Sequence, residues 1–91
     1  MNSRPKIPPS EIDGARILEW AWSGQEPFGV VFDADSVFGL AIATYDGVVF
    51  YRFSCGQDWN TIQDADYESI TAAKEQLPDQ YRSAAINWVT V

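Results

Sequence analysis

The pair Asp46-Gly47 lies near the centre of the apolar stretch 38–55 and constrains the fold more than any other feature. Asp-Gly between two apolar runs is typical of a β-hairpin with a two-residue type I′ turn, because Gly takes the positive φ angles that this turn needs and Asp tolerates them. Such a turn places Tyr45 opposite Val48. The pattern therefore predicts a hairpin around which the rest of a sheet is built.

The predicted register divides the hairpin into two faces, because successive side chains of a strand point to opposite sides. One face carries large apolar side chains, and we expect it to form the main core. Its members are Phe38, Leu40, Ile42, Thr44, Val49, Tyr51, Phe53 and Cys55. The other face mixes small residues with Phe50 and Arg52. A shift by one residue would exchange the two faces, so this assignment depends on the two-residue turn.

Alternating apolar residues indicate further strands on both sides of the hairpin. They predict strands at 15–23 and 28–33, then a polar break at 33–36, and a final strand at 85–91. A short strand is also expected near 59–63. The acidic segment that follows it is expected to be a solvated turn.

A single helix is predicted over 69–77, where apolar residues recur with helical spacing and Ser69 is placed to cap the N-terminus. The predicted fold class is α+β. It consists of an antiparallel β-sheet of four to six strands, meander-like around the central Asp-Gly hairpin, with one α-helix packed on one face. Residues 1–10 contain three prolines and are predicted to be a flexible N-terminal arm, and residues 11–91 a single domain.

The charge distribution bears on the partner. The chain has 13 acidic and 6 basic residues, a net charge of −7. Two of the six basic residues, Arg4 and Lys6, lie in the arm, so the domain has four basic against 13 acidic residues, a net charge of −9. Such a domain repels the phosphates of nucleic acids and attracts basic proteins. We expect a protein partner and no nucleic acid; alternatively, the carboxylates only keep the protein soluble.

The cellular location is predicted from the absence of a membrane-spanning segment and of a signal peptide in the sequence. No apolar stretch is long enough to span a membrane, and the N-terminal arm is not followed by the apolar segment of a signal peptide. The single cysteine, Cys55, fits a reducing compartment. A cytoplasmic protein without a membrane partner is therefore expected.

Catalytic chemistry is limited by the absence of histidine. This absence excludes Ser-His-Asp and Cys-His arrangements and the usual zinc ligand sets. Cys55 lies on the predicted apolar face, where a buried, inert thiol is expected. The six glycines are isolated from one another, so no phosphate-binding loop is present. The sequence therefore predicts no catalytic residue and no cofactor, and a non-enzymatic binding protein is expected.

Alternating carboxylates give a second hypothesis. Asp64, Asp66 and Glu68 could bind a divalent cation together with Glu75, which falls at the twelfth position of an EF-hand loop counted from Asp64. Ser69 stands where that loop needs Gly, and the predicted helix would carry Glu75 away. The alternative function is a small carboxylate-dependent or divalent-metal-binding enzyme that uses the first three residues.

The tryptophans allow two interpretations. A small domain needs large side chains in its core, and Trp20, Trp22 and Trp59 suit that position. Exposed, they would instead be anchors at a binding surface. The predicted partner-binding residues are therefore these three tryptophans and the carboxylates Asp64, Asp66 and Glu68.

The final strand predicts self-association. Its sequence, AINWVTV, has no charged side chain, whereas natural edge strands are normally protected by charges, proline or a bulge. Pairing with a second copy would cover such an edge and form a homodimer, with Trp88 and Thr90 near the contact. In the alternative arrangement the strand lies between two strands of its own sheet.

A motif made of four short segments covers about one third of the chain. The motif runs from YRFSCGQDW through IQDADYESI to AAKEQ and QYR, and its positions are Asp64, Tyr67, Ser69, Ile70, Ala73 and Lys74. It is similar to small uncharacterised bacterial single-domain proteins with an aromatic strand ending in Cys, a following Trp and a D-x-x-Y-x-S-I-x-x-A-K helix start. Some small acidic bacterial proteins of this kind are immunity proteins that neutralise toxins. The analogy with this class, and not the motif itself, gives the expectation of an immunity-like role, and the resemblance brings no catalytic residues.

Overall fold

The structure, a computed structural model, describes residues 5–32, 34–81 and 86–91. These residues form eight strands and one short helix. In chain order they are β1 (Glu11–Ile12), β2 (Ala15–Trp22), β3 (Gly29–Val31), β4 (Asp35–Val37), β5 (Gly39–Thr44), β6 (Phe50–Cys55), β7 (Thr61–Tyr67), α1 (Ile70–Glu75) and β8 (Val89–Thr90).

Six of the strands form one antiparallel sheet in the order β1-β2-β5-β6-β7, with β8 also paired to β2. Because β5 occupies one side of β2, both β1 and β8 lie along its other side. Strands β3 and β4 form a separate two-stranded sheet. The antiparallel α+β architecture predicted from the sequence is confirmed in outline, but the helix is minor and the sheet dominates.

The hairpin of β5 and β6 is present, but its predicted register is wrong. Gly39 lies opposite Cys55 and Thr44 opposite Phe50, so the turn contains the five residues 45–49 instead of two. Every side chain of β6 is therefore displaced by one position relative to the prediction, and the two faces differ from those expected. Leu40 and Ile42 share a face with Arg52 and Ser54, whereas Ala41 and Ala43 share a face with Tyr51, Phe53 and Cys55.

The first of these faces, the helix-side face, is covered by α1 and the segment after it, by β3 and β4, and by the C-terminal residues. Its buried cluster contains Ala21, Phe28, Val31, Val37, Leu40 and Tyr81. The helix begins at its N-cap Ser69, whose side chain accepts a hydrogen bond from Ala72 N, as predicted. An ion pair between Lys74 and Glu19 ties α1 to β2.

The second face, the tryptophan-side face, carries the other core. Its buried members are Ile12, Ala15, Ile17, Trp20, Ala41, Ala43, Phe53, Cys55 and Trp59. Strand β2 has an irregularity in its pairing between Ile17 and Glu19, and bulges of this kind bend a strand. The turn between β1 and β2 reaches across this face to β7, where Thr61 Oγ1 donates a hydrogen bond of 2.8 Å to Asp13 Oδ2. This bond joins the two ends of the sheet over the core.

Four smaller predictions need correction. The predicted strand 28–33 is limited to β3, and Asp33 lies outside the described residues. The predicted polar break at 33–36 overlaps a strand, β4. The strand expected near 59–63 extends through the acidic segment to Tyr67, so that segment is no turn. The helix is shorter than predicted and ends at Glu75.

The C-terminal strand is also shorter than expected. Of the predicted range 85–91, only Val89–Thr90 is strand, and Ala85 lies outside the described residues. Thr90 lies opposite Glu19 of β2, so β8 covers part of an edge of its own sheet. Within the described ranges, no helix is long and apolar enough to cross a membrane.

Candidate functional site

Strand β7 forms one edge of the main sheet. It pairs with β6 along one side, and along its other side it pairs with no strand of the part of the chain that the structure describes. At seven residues it is one of the longest strands of the protein. An edge strand presents a row of N–H and C=O groups to which another extended chain can bind. This edge and the side chains on either side of it are the candidate site.

Two of the predicted carboxylates lie side by side on this edge. Asp64 lies opposite Phe53 and Asp66 opposite Tyr51, so both belong to the tryptophan-side face. Both are exposed, and the exposed Glu68 follows directly after the strand. Side chains two positions apart in a strand point to the same side. The edge therefore carries adjacent negative charges along one of its two faces.

The structure of residues 5–32, 34–81 and 86–91 contains no metal site of the kind that the sequence pattern suggested. No group of three His, Cys, Asp or Glu side chains in these ranges is placed so that it could hold a metal ion. Asp64 and Asp66 belong to an extended strand, whereas Glu75 is the last residue of α1. The hypothesis rests on the sequence pattern alone.

On the helix-side face, a pocket of about 430 Å³ lies next to the same edge. Strand β7 contributes Gln63, Asp64, Ala65 and Tyr67 to its lining, β6 contributes Arg52 and Ser54, and the segment after α1 contributes Gln76, Leu77 and Pro78. The pocket therefore forms where the sheet edge meets the end of the helix. It is open enough for a side chain of another molecule to enter.

Arg52 of β6 is the positively charged residue in the lining of this pocket. Only 6% of its surface is exposed. Its Nη1 donates hydrogen bonds of 2.8 Å to the carbonyl oxygens of Ala73 and Gln76, at the end of α1, where a positive charge is favourable. The guanidinium lies 5.0 Å from the centre of the Tyr67 ring. Its Nε is buried and has no hydrogen-bond partner among the described residues.

No carboxylate of the described chain forms an ion pair with Arg52. Two ion pairs between described residues join Lys6 to Asp58 and Lys74 to Glu19. A buried charge is costly unless it is paired, so helix carbonyls and one aromatic ring are an incomplete set of partners for this guanidinium. Arg52 therefore places a positive charge without a carboxylate partner among the described residues at the wall of the pocket.

Ser54 and Tyr81 are two neutral polar residues that form a buried hydrogen bond near this pocket. Ser54 Oγ and the Tyr81 hydroxyl form a hydrogen bond of 2.8 Å, and burial raises the pKa of Tyr81 above its ordinary value.

On the opposite face of the sheet, burial and then the nearby Asp13 carboxylate raise the pKa of the Cys55 thiol to about 12. Cys55 is buried, as the sequence predicts, and its thiol holds its proton at neutral pH.

The candidate tryptophans belong to the core cluster. Trp20 and Trp59 are buried with their ring centres 6.2 Å apart, and the half-buried Trp22 lies 5.5 Å from Trp59. The Trp59 indole N–H also donates a hydrogen bond of 3.0 Å to the carbonyl of Lys6, which holds that part of the arm against the sheet. Of the two interpretations of the tryptophans, core residues or exposed binding anchors, this arrangement corresponds to the first.

The two residues expected at a dimer contact are placed differently from each other. Trp88 is half-buried beside the helix-side core, with Lys74 Nζ 5.9 Å from the centre of its ring. Thr90 is exposed and belongs to β8. Self-association through these residues stays a prediction.

No protein-family model matches the chain, and no curated protein or solved structure is found to be similar to it. The candidate site is therefore defined by its own geometry. The sequence pattern predicted the carboxylates of β7 as candidates but did not indicate Arg52. The available signal was a single arginine within an apolar strand, FYRFSC, whose significance depends on the helix end that packs over it.

Proposed function

We propose that the protein is a non-enzymatic binding module and that β7 takes up an extended segment of a basic partner protein. The observation that carries the proposal is the long β7 edge, which has no partner strand in the described chain and bears Asp64 and Asp66 side by side. Strand addition supplies main-chain hydrogen bonds, and the alternating side chains supply specificity. An immunity protein that neutralises a basic toxin would be one protein of this type.

Charge complementarity favours a partner over a second copy of the chain. Antiparallel pairing of two β7 strands centred on Ala65 would place Asp64 of one copy opposite Asp66 of the other, and like charges directly opposite destabilise a sheet. An added strand with Lys or Arg at alternate positions would instead place opposite charges together. The net charge of −7 would also accelerate the approach of such a partner.

A competing explanation assigns the carboxylates a purely protective role. Charged side chains on an edge strand prevent aggregation without binding anything. The two explanations differ in what they predict for a short basic strand. Protection predicts only weak attraction that is independent of backbone hydrogen bonding, whereas strand addition requires free amide groups on the peptide.

The experiment compares three peptides by fluorescence anisotropy at 50 and 500 mM NaCl. The first is Val-Thr-Lys-Thr-Lys-Thr-Val, the second has Glu in place of both lysines, and the third is the first peptide N-methylated at alternate amides. We expect saturable, salt-sensitive binding of the first peptide alone. Equal binding of the N-methylated peptide would leave only non-specific attraction, and absence of binding by the first peptide would refute the proposal.

Variants then locate the binding site. Replacing both Asp64→Asn and Asp66→Asn should weaken binding of the basic peptide about tenfold, because each exposed charge pair contributes up to about 1 kcal/mol. The matched control, Glu11→Gln with Asp35→Asn, removes the same charge from exposed positions on β1 and β4. Equal weakening by both pairs would show that the net charge and not the β7 edge attracts the peptide.

A further inference from the structure

The pocket beside Arg52 opens next to the same edge that the proposed function assigns to the partner. We propose that it receives a glutamate side chain of the added strand, so that the bound segment carries an acidic residue between two basic ones. This inference rests on the proposed function and specifies the sequence of the segment. It is carried by three features: the alternation of β7, the small side chain of Ala65 and the incomplete pairing of Arg52.

The alternation of side chains determines which residue of the partner meets the pocket. On β7, Asp64 and Asp66 lie on the tryptophan-side face, whereas Ala65 lies opposite Arg52 on the helix-side face. A strand added to β7 alternates in the same way. Its residues opposite the two aspartates would meet negative charge, and the residue between them, opposite Ala65, would point to the side of the pocket.

Ala65 leaves the entrance to the pocket open. It has the smallest side chain on the helix-side face of β7, between Gln63 and Tyr67, and all three line the pocket. Adjacent strands lie about 4.8 Å apart, so the added strand would run about 10 Å from the strand of Arg52. A long acidic side chain and the arginine side chain can together span this distance across an alanine, which favours Glu over Asp.

The charge of Arg52 determines what chemistry the pocket selects. Arg52 has only 6% of its surface exposed, its Nε has no hydrogen-bond partner among the described residues, and its Nη1 donates to two neutral carbonyls. Asp64 also lines the pocket but forms no ion pair with Arg52. A carboxylate entering over Ala65 would supply the missing counter-charge, and carboxylates bind guanidinium groups more strongly than neutral acceptors do.

The test uses peptides of the form Val-Thr-Lys-X-Lys-Thr-Val, in which X is Glu or Gln. General attraction to an acidic protein predicts that the Gln peptide, which has one more net positive charge, binds more tightly. Entry of the side chain into the pocket predicts the opposite order, with the Glu peptide about fivefold tighter. If both peptides bind and the Gln peptide binds as tightly as the Glu peptide or more tightly, this inference is overturned and the proposed function still stands. If neither peptide binds, both the inference and the proposed function are refuted.

Two variants assign the preference to the pocket. Arg52→Gln keeps an N–H donor near the helix carbonyls but removes the charge, and it should abolish the preference for Glu while both peptides still bind. Ala65→Leu leaves Arg52 intact and blocks the entrance to the pocket, so it should also abolish the preference for Glu. This variant tests the inference even if Arg52→Gln fails to fold. A preference for Glu that survives Ala65→Leu would contradict the inference.

Two controls complete the design. Asp66→Asn should weaken both peptides by a similar factor and preserve their order, because Asp66 lies on the other face and does not line the pocket. Acetate at 50 mM tests a free anion as the alternative occupant. If acetate raises the melting temperature of the wild type but not of Arg52→Gln, and the Glu peptide is not preferred, then the pocket takes a free carboxylate and the assignment to the partner strand is wrong.

Discussion

The backbone N–H of Gly47 donates a hydrogen bond of 2.7 Å to Thr44 Oγ1 across the turn between β5 and β6. The Thr44 hydroxyl in turn donates to the carbonyl of Val49 at 2.8 Å, and Asp46 Oδ1 accepts a hydrogen bond of 2.8 Å from Val48 N. The side chains of Thr44 and Asp46 thus satisfy backbone groups of this turn. Together these bonds stabilise a five-residue turn and the register that it imposes on the central hairpin.

Thr44→Val is therefore expected to destabilise the protein by about 1–3 kcal/mol, because it removes an acceptor and a donor at a site that is 3% exposed. The shape of the side chain is nearly unchanged, so the effect reports the hydroxyl. Urea denaturation followed by tryptophan fluorescence measures the change in the free energy of unfolding.

Thr44→Ser is the matched control, since it keeps the hydroxyl and loses only a methyl group. It should cost less than half as much as Thr44→Val. Equal losses for the two variants would show that packing at this position, and not the hydrogen bonds of the turn, stabilises the hairpin.

These contacts also explain which parts of the fold the sequence could predict. Asp46-Gly47 correctly predicted that a turn joins two central strands, because the signal is local. The register depends on whether hydrogen bonds of the Thr44 and Asp46 side chains are more favourable than a tight turn, and no apolar pattern contains that information. Both faces of the hairpin are largely apolar, so a shift by one residue exposes no large hydrophobic group and the pattern could not reject it.

In the candidate site, too, local features could be predicted from the sequence, whereas features that depend on tertiary contacts could not. Ser69 was predicted as an N-cap from its own chemistry, and the structure confirms it. Strand β7 contains few apolar residues, so its sequence resembles a polar turn, and it is strand because it pairs with β6. The pocket requires Arg52, β7 and the segment after α1 to meet, which depends on tertiary packing that a linear pattern does not specify.

The contact between Gly39 and Trp59 gives a second prediction. A Cβ atom added at Gly39 would lie within 2.8 Å of three carbons of the Trp59 ring, which is itself packed against Trp20 and Trp22. Gly39→Ala should therefore cost about 1–3 kcal/mol through overpacking. The measurement is the midpoint of urea denaturation compared with that of the wild type.

A double-mutant cycle with Trp59→Leu isolates the steric cause. In the Trp59→Leu background, Gly39→Ala should cost much less than it does in the wild type, because the ring that it meets is absent. Gly24→Ala is a control for backbone effects: Gly24 has a φ of 90° and nothing within 4 Å of an added Cβ, so its cost should not depend on Trp59. Additive effects of Gly39→Ala and Trp59→Leu would contradict the steric explanation.

The Cys55 thiol predicts how stability changes with pH. Its pKa is about 12 in the folded protein against an ordinary value of 9.0, because burial and the Asp13 carboxylate disfavour the thiolate. Between these two values the unfolded chain loses a proton that the folded protein retains. The contribution to stability is therefore complete below pH 9 and is lost as the pH rises from about 9 towards 12, at up to about 1.4 kcal/mol for each pH unit.

Comparing the wild type with Cys55→Ala by urea denaturation between pH 8 and 11 tests this prediction, since other titrating groups contribute equally to both proteins. The difference in the free energy of unfolding should be constant near pH 8 and should shrink as the pH increases above 9. A thiol reagent should correspondingly label Cys55 at pH 8 only at the rate at which the protein unfolds. Parallel stability curves up to pH 11, or rapid labelling of the folded protein, would mean that the thiol is accessible to solvent and ionises near its ordinary pKa.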